Sequence, residues 1–261
     1  MVDTLTRSLV FVGLVALAFV PLERAFPIRE EGARRGLATD LAFATFGRVA
    51  TKLLLVFGVG RLLDVADAHA WENGPWNAVE SVSARTLVTV GLGLLLFELG
   101  GYAYHRLAHR VPFLWRLHEV HHSAETMDWL ASYRQHPLEI ALMTLAQNLP
   151  LVALGIPLAS HAAVLVLLEL NTVFVHSNVR IPEGPWSEIF ATPRFHHRHH
   201  DRLREARNFA TLFPFLDRLF GTHVHERSDD FGLPERRERG FVAWVVRPFR
   251  ASRARPSVPP A

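Results

Sequence analysis

Apolar residues gather into five runs, Ser8–Val20, Leu41–Leu63, Leu87–Tyr104, Leu138–Leu154 and Ala159–Val175. Each is near the roughly 17–25 residues an α-helix needs to cross a bilayer, so the pattern predicts five transmembrane helices. The first run has only Arg7 ahead of it and continues into Pro21-Leu22-Glu23-Arg24 without a small-residue cleavage site. It is therefore expected to stay as an anchor and not to be removed as a signal peptide. The last two runs, joined through Gly155-Ile156-Pro157, form a hairpin that enters and leaves on one side.

Loop charges orient the bundle. Arg24, Arg29, Arg34 and Arg35 lie between the first two runs, whereas Asp64, Asp67, Glu72 and Glu80 follow the second. Cytoplasmic loops carry the excess of Lys and Arg, which places the arginine cluster in the cytoplasm. Counting crossings then puts His105–His136, His176 and everything after Arg180 on that same side. The predicted fold is all-α: an integral-membrane helical bundle with a cytosol-facing helical cap. Residues 1–225 form this domain and residues 226–261 a basic, partly disordered tail. Within the tail, Phe241–Val246 followed by Arg247, Arg250, Arg253 and Arg255 reads as a short interfacial helix on anionic lipid or as a frayed end.

Composition supports the membrane reading: 49% of the 261 residues are hydrophobic, high for a soluble chain. A formal charge of +3 is too small an excess for nucleic acid to be the main partner. The absence of cysteine excludes disulfides, thiolate ligands and iron–sulfur centres. The 15 histidines are many for this length, and most lie between His105 and His200.

Their spacing carries the chemistry. His105-Arg-Leu-Ala-His109 sets two imidazoles four residues apart, on one helical face. His118-Glu-Val-His121-His122 brings His118 together with both later rings, and His196, His199 and His200 repeat that pattern. Neutral imidazole suits iron, zinc, copper and nickel, while Mg or Ca would call for oxygen ligands. Eight histidines exceed the needs of one ion, so a dinuclear centre is the economical reading. His136, where the chain re-enters the membrane, and His176, where the hairpin emerges, can approach the same centre. His69 reads as a solvated loop histidine. His161, at the far end of the hairpin, is expected not to be a ligand.

Carboxylates inside membrane spans are costly and usually face a partner. Glu98 precedes His105 by seven residues and Glu169 precedes His176 by seven, each sharing the histidine's face. Both are expected to orient ligands through imidazole N–H bonds, the alternative being a pair with an arginine near the interface. Tyr102, on nearly the face of Glu98 and His105, is a candidate to line a substrate channel or merely to pack.

These words together resemble the fatty acid hydroxylase superfamily over roughly Glu98 to Thr222: Tyr104–His109, Leu117–Ser123, Arg134–Glu139, His176–Val179, Thr192–His196, Asn208-Phe209 and Asp217–Thr222. The resemblance implies a histidine-bound pair of iron ions that uses O2 and electrons from a separate electron-transfer protein to oxidise an unactivated C–H bond of a lipid, sterol or other aliphatic substrate. It carries over as ligands His105, His109, His118, His121, His122, His176, His196, His199 and His200. Thr172 stands where some members have a further histidine, and His136 is the candidate replacement. His197 is read as a neighbour of the ligands. Hydroxylation and desaturation share their first hydrogen abstraction and stay undivided. A metal transporter would place polar ligands near the bilayer midplane on broken helices, and a zinc hydrolase needs only about three protein ligands; the one-sided, many-histidine pattern fits neither as well.

Overall fold

The computed structural model describes residues 2–30, 34–67, 74–156, 162–235 and 239–250. Among them the fold is helical, with two isolated β-bridges and no strand. A long helix α1 (Val2–Ala25) opens the chain. A second helical run follows, made of α2 (Leu37–Ala42), α3 (Arg48–Leu54) and α4 (Gly60–Asp67), joined by π-helical turns at Phe43–Gly47 and Leu55–Val59. Next come α5 (Val82–Ala108) and α6 (Pro112–His122), then α7 (Pro137–Ala153) and α8 (Ala162–His176). Short helices α9 (Pro193–His199), α10 (Phe215–Leu219) and α11 (Phe241–Val246) complete it.

Residues 3–25 of α1 and the whole of α5 are long and apolar enough to cross a membrane, and only 17% of the apolar window of each is buried. The core helix of a soluble protein would be largely covered. Instead Leu9, Leu14 and Leu17 on α1, Phe46 and Phe57 in the second run, and Leu87 and Leu95 on α5 point outward. Exposed apolar surface on this scale needs a lipid or protein cover. α7 and α8, at 17 and 15 residues, sit at or below the roughly 17 residues of a full crossing. The expected run at 41–63 coincides with the α2–α4 stretch. His69 and His161 lie outside the described residues.

α5 and α7 pack closely because Gly100 and Gly101 remove side chains at the crossing: a Cβ on Gly100 would stand 2.4 Å from the Ala146 carbonyl oxygen. The helices that carry chemistry begin in a common way. α6, α7 and α9 each have proline in the first turn, where the missing N–H costs nothing. Thr192 caps α9 by accepting the Phe195 N–H at 3.1 Å. The stretch before α2 is tied to the cap by buried charges: Arg34 bridges Asp40 (2.8 Å) and Asp128 (2.5 Å), and Arg134 pairs with Asp40 and donates to the Gly36 carbonyl. α11 folds back on the body, with Trp244 buried against Phe43 and Val120 and Arg247 paired with Glu119.

Candidate metal centre

The ends of α5 and α8, together with α6 and α9, meet at one end of the bundle and carry nine histidines into two adjacent groups. One holds His105, His109, His118, His122 and His199; the other holds His121, His176, His196 and His200. Within each group the ligand nitrogens all lie within 4.8 Å of one another, and no ring is more than 5% exposed. Burial, reinforced by neighbouring imidazoles, holds His109, His121, His122, His196, His199 and His200 well below the ordinary imidazole range. They are neutral, the form that ligates metal.

Hydrogen bonding at Nδ1 decides which nitrogen carries the lone pair, since a neutral imidazole has one N–H and one acceptor. His105 donates from Nδ1 to the Phe209 carbonyl at 2.7 Å, His121 to that of Arg134 at 3.2 Å, His176 to that of Thr172 at 2.6 Å and His199 to that of Arg207 at 2.9 Å. His118 donates to Glu139. Their Nε2 atoms are therefore bare acceptors. Yet Nε2 of His105 stands 3.1 Å from Nε2 of His118, and Nε2 of His121 stands 3.0 Å from Nε2 of His176. Two lone pairs cannot hydrogen-bond to each other, and a cation between them removes the conflict. Metal–imidazole bonds of about 2.0–2.1 Å let one ion reach nitrogens this close together. The donor set and its tautomers fit two ions.

The loop after α9 is built to present two of those carbonyls, those of Arg207 and Phe209. Glu98 accepts the N–H groups of Thr211 and Leu212, both at 2.7 Å, and Asp217 accepts those of Phe209 and Ala210 at 2.7 and 2.8 Å. Asn208 takes a left-handed backbone (φ 56°) and clamps the loop by donating to Phe195 and Val224 carbonyls, each at 3.0 Å. Glu98 thus acts on His105 through the backbone and does not touch an imidazole as expected. Glu169 follows the alternative, a pair with an arginine: it pairs with Arg48 and leaves His176 to the Thr172 carbonyl. Tyr102 takes the packing alternative: its hydroxyl shares a 2.8 Å hydrogen bond with Thr222 and its ring stacks on Phe220.

His136 falls outside both groups. Its Nδ1 accepts the Leu138 N–H at 3.1 Å, capping α7, and its Nε2 donates to the Val245 carbonyl at 3.0 Å. His197 is buried but turned away from the ligand nitrogens, donating to the His176 carbonyl at 3.1 Å. Glu139 was not singled out from the sequence. It stands in the first turn of α7, 2% exposed, three residues beyond the histidine that drew attention.

Residues 90–222, half of the chain, match the sequence model described as fatty acid hydroxylase. The chain belongs to the fatty acid hydroxylase family. Curated relatives agree. An ornithine lipid hydroxylase (OlsE) of Rhizobium tropici is 34% identical over 165 residues, covering 61% of this chain and 50% of that protein. The alkylglycerol monooxygenase of Homo sapiens is 33% identical over 165 residues, covering 60% of this chain and 35% of that protein. Methylsterol monooxygenase 1 of Rattus norvegicus is 32% identical over 124 residues, covering 47% and 42%. The chain thus spans half or less of the length of these family members. No solved structure matches it. All nine grouped histidines lie within the region matched to the family.

Beside the centre, a cavity of about 390 Å³ lies between α3, α5, α7 and α8. His105 and His118 of one group and His121, His176 and His196 of the other form its inner end. Phe97, Ile140, Met143, Leu168 and Val173 give it apolar walls.

Proposed function

We propose that this protein is an O2-dependent oxidoreductase that hydroxylates an unactivated C–H bond of a lipid-like substrate at two iron ions held by the nine histidines. The observation that carries the reading is the pair of bare Nε2 atoms facing each other in each group, at the end of an apolar cavity. Bound there, two irons supplied with O2 and two electrons would give the oxidising power to insert one oxygen atom into carbon while the other leaves as water. Desaturation of the same chain, with both oxygens leaving as water, is the alternative outcome.

The residues of the chain do the rest. Nδ1 contacts to carbonyls and to Glu139 fix the tautomers, so that Nε2 faces inward before any ion arrives. The apolar wall orders a hydrocarbon chain toward the histidines and excludes water from the site. Electrons come from a separate carrier protein. The reading of sidedness rests on Arg29 and Arg34, from the arginine-rich loop: Arg29 meets His197 at 3.1 Å, and Arg34 pairs with Asp128. By the positive-inside rule this end of the bundle faces the cytoplasm.

Anaerobic purification followed by metal analysis and Mössbauer spectroscopy tests the centre, with spin-coupled di-iron expected. Stoichiometric zinc that sustains turnover would overturn the proposal. Lipid mass spectrometry of a deletion strain against wild type separates the outcomes: a missing increment of one oxygen reports hydroxylation, and a missing loss of two hydrogens reports desaturation.

A further inference from the structure

The cavity has a charged wall that the metal centre does not use. Arg48, Thr51, Lys52 and Leu55 line it at spacings of three and four, one face of the second helical run. Lys52 is the single lysine of the chain and makes no hydrogen bond or ion pair among the described residues. Arg48 is held over the rings of Phe11 and Tyr133, at 4.5 and 5.8 Å, and pairs with Glu169 through one arm, while its buried Nε has no hydrogen-bond partner. Of the two carboxylates lining the cavity, Glu139 is taken up by His118 and Glu169 by Arg48. Glu169 is therefore the one carboxylate left to two cations, in a stretch that the sequence pattern (Leu41–Leu63) assigns to the membrane, where under-compensated charge is costly and marks function.

We propose that Lys52 and Arg48 bind an anionic group of the substrate, a carboxylate or a phosphate, and so set which part of its hydrocarbon chain reaches the histidines. This rests on the oxygenase reading for what happens at the far end, but the anchor is a binding site in its own right. Glu169, and with it Arg48, stands two helical turns before His176 on α8, on the order of 10 Å. The oxidised carbon is therefore remote from the anionic group and not adjacent to it.

With Lys52 the only lysine, an amine-reactive reagent can modify only Lys52 and the chain's amino terminus. Full-length protein in a neutral maltoside detergent is treated with such a reagent in the presence of dodecanoate, dodecyl phosphate or dodecanol, and the Lys52 peptide is quantified by mass spectrometry. Protection by either anion at least fivefold greater than by the alcohol is expected. Protection by the carboxylate alone identifies an acidic lipid, by the phosphate alone a phospholipid headgroup, and by both the shared chemistry. Equal protection by dodecanol, or protection by none, overturns the anchor.

Titration of Lys52→Met and Lys52→Arg with the protecting anion gives a second reading. A hydrogen bond to a charged group is strong enough that Lys52→Met should bind it tenfold or more weakly, with Lys52→Arg restoring affinity and dodecanol unaffected throughout. Neither measurement requires turnover. Lost protection with spin-coupled iron intact removes the anchor alone, whereas zinc in place of iron with protection intact removes the oxidation alone.

Discussion

Replacing Glu139 by leucine keeps a side chain of similar bulk and deletes the carboxylate that receives the Nδ1–H of His118. Glu139 is 2% exposed and His118 1%, so water does not readily take its place. A hydrogen bond with an ionised partner contributes about 1.5–3 kcal/mol. Loss of the outer partner of a metal-bound histidine weakens metal binding about 10–100-fold, or about 1.4–2.8 kcal/mol, so the two lines of reasoning meet. His118 belongs to the five-histidine group only, which makes the effect one-sided. Titrating the iron-loaded protein with a chelator should release one equivalent at a ten- to hundredfold lower concentration and the other as in the wild type. Glu139→Gln, whose amide oxygen still accepts the N–H, should lie closer to the wild type. A folded Glu139→Leu protein that released both equivalents on the wild-type curve would refute the role assigned to this carboxylate.

His121→Ala should abolish turnover and remove the ion of the four-histidine group, while His136→Ala should keep both equivalents by metal analysis and lose about 1 kcal/mol with its helix cap. Glu98→Leu leaves the N–H groups of Thr211 and Leu212 without their acceptor; at about 1–3 kcal/mol for each buried orphan, its melting temperature should drop clearly, and an unchanged melt would count against the loop role. Gly100→Ala drives a methyl group into the Ala146 carbonyl and should cost about 1–3 kcal/mol by overpacking, read as a lower denaturation midpoint. For metal-free protein, the histidines with depressed pKa stay neutral when folded but take up protons in the unfolded chain near about pH 6.5. Stability should therefore be level above that pH and fall as pH drops below it, by up to about 1.4 kcal/mol per pH unit for each such histidine; a midpoint that rose on acidification would contradict the burial argument.

Helical spacing made eight of the nine grouped histidines legible, because residues three and four apart on one helix are neighbours; His176, alone on its helix, was indicated by the point where the hairpin emerges. The accessory carboxylates do not reach the imidazoles, for a related reason. Seven residues return to the same face but climb about 10 Å, beyond the reach of a glutamate, so Glu98 and Glu169 found partners at their own level. His136 looked like a ligand from its position at the membrane edge. Standing just before Pro137, however, it adopts an extended backbone (φ −69°, ψ 130°) and serves as a cap. Glu139 was available as an acid in the first turn of that helix. Only the packing of α7 against α6 shows that it meets His118. The expected apolar runs overlap the described helices, with ends that differ by one to six residues, whereas the π-helical turns between α2 and α4 left no mark in the hydrophobic pattern.

Four of the grouped histidine rings are steered by main-chain oxygens, those of Phe209, Arg134, Thr172 and Arg207. A main-chain oxygen cannot be deleted by exchanging a side chain, so the aim of these rings is written in the path of the chain. Substitutions at Phe209 or Arg207 themselves should disturb the centre less than a single inserted residue between them, which would slide both carbonyls out of step with His105 and His199 while leaving every histidine in the sequence.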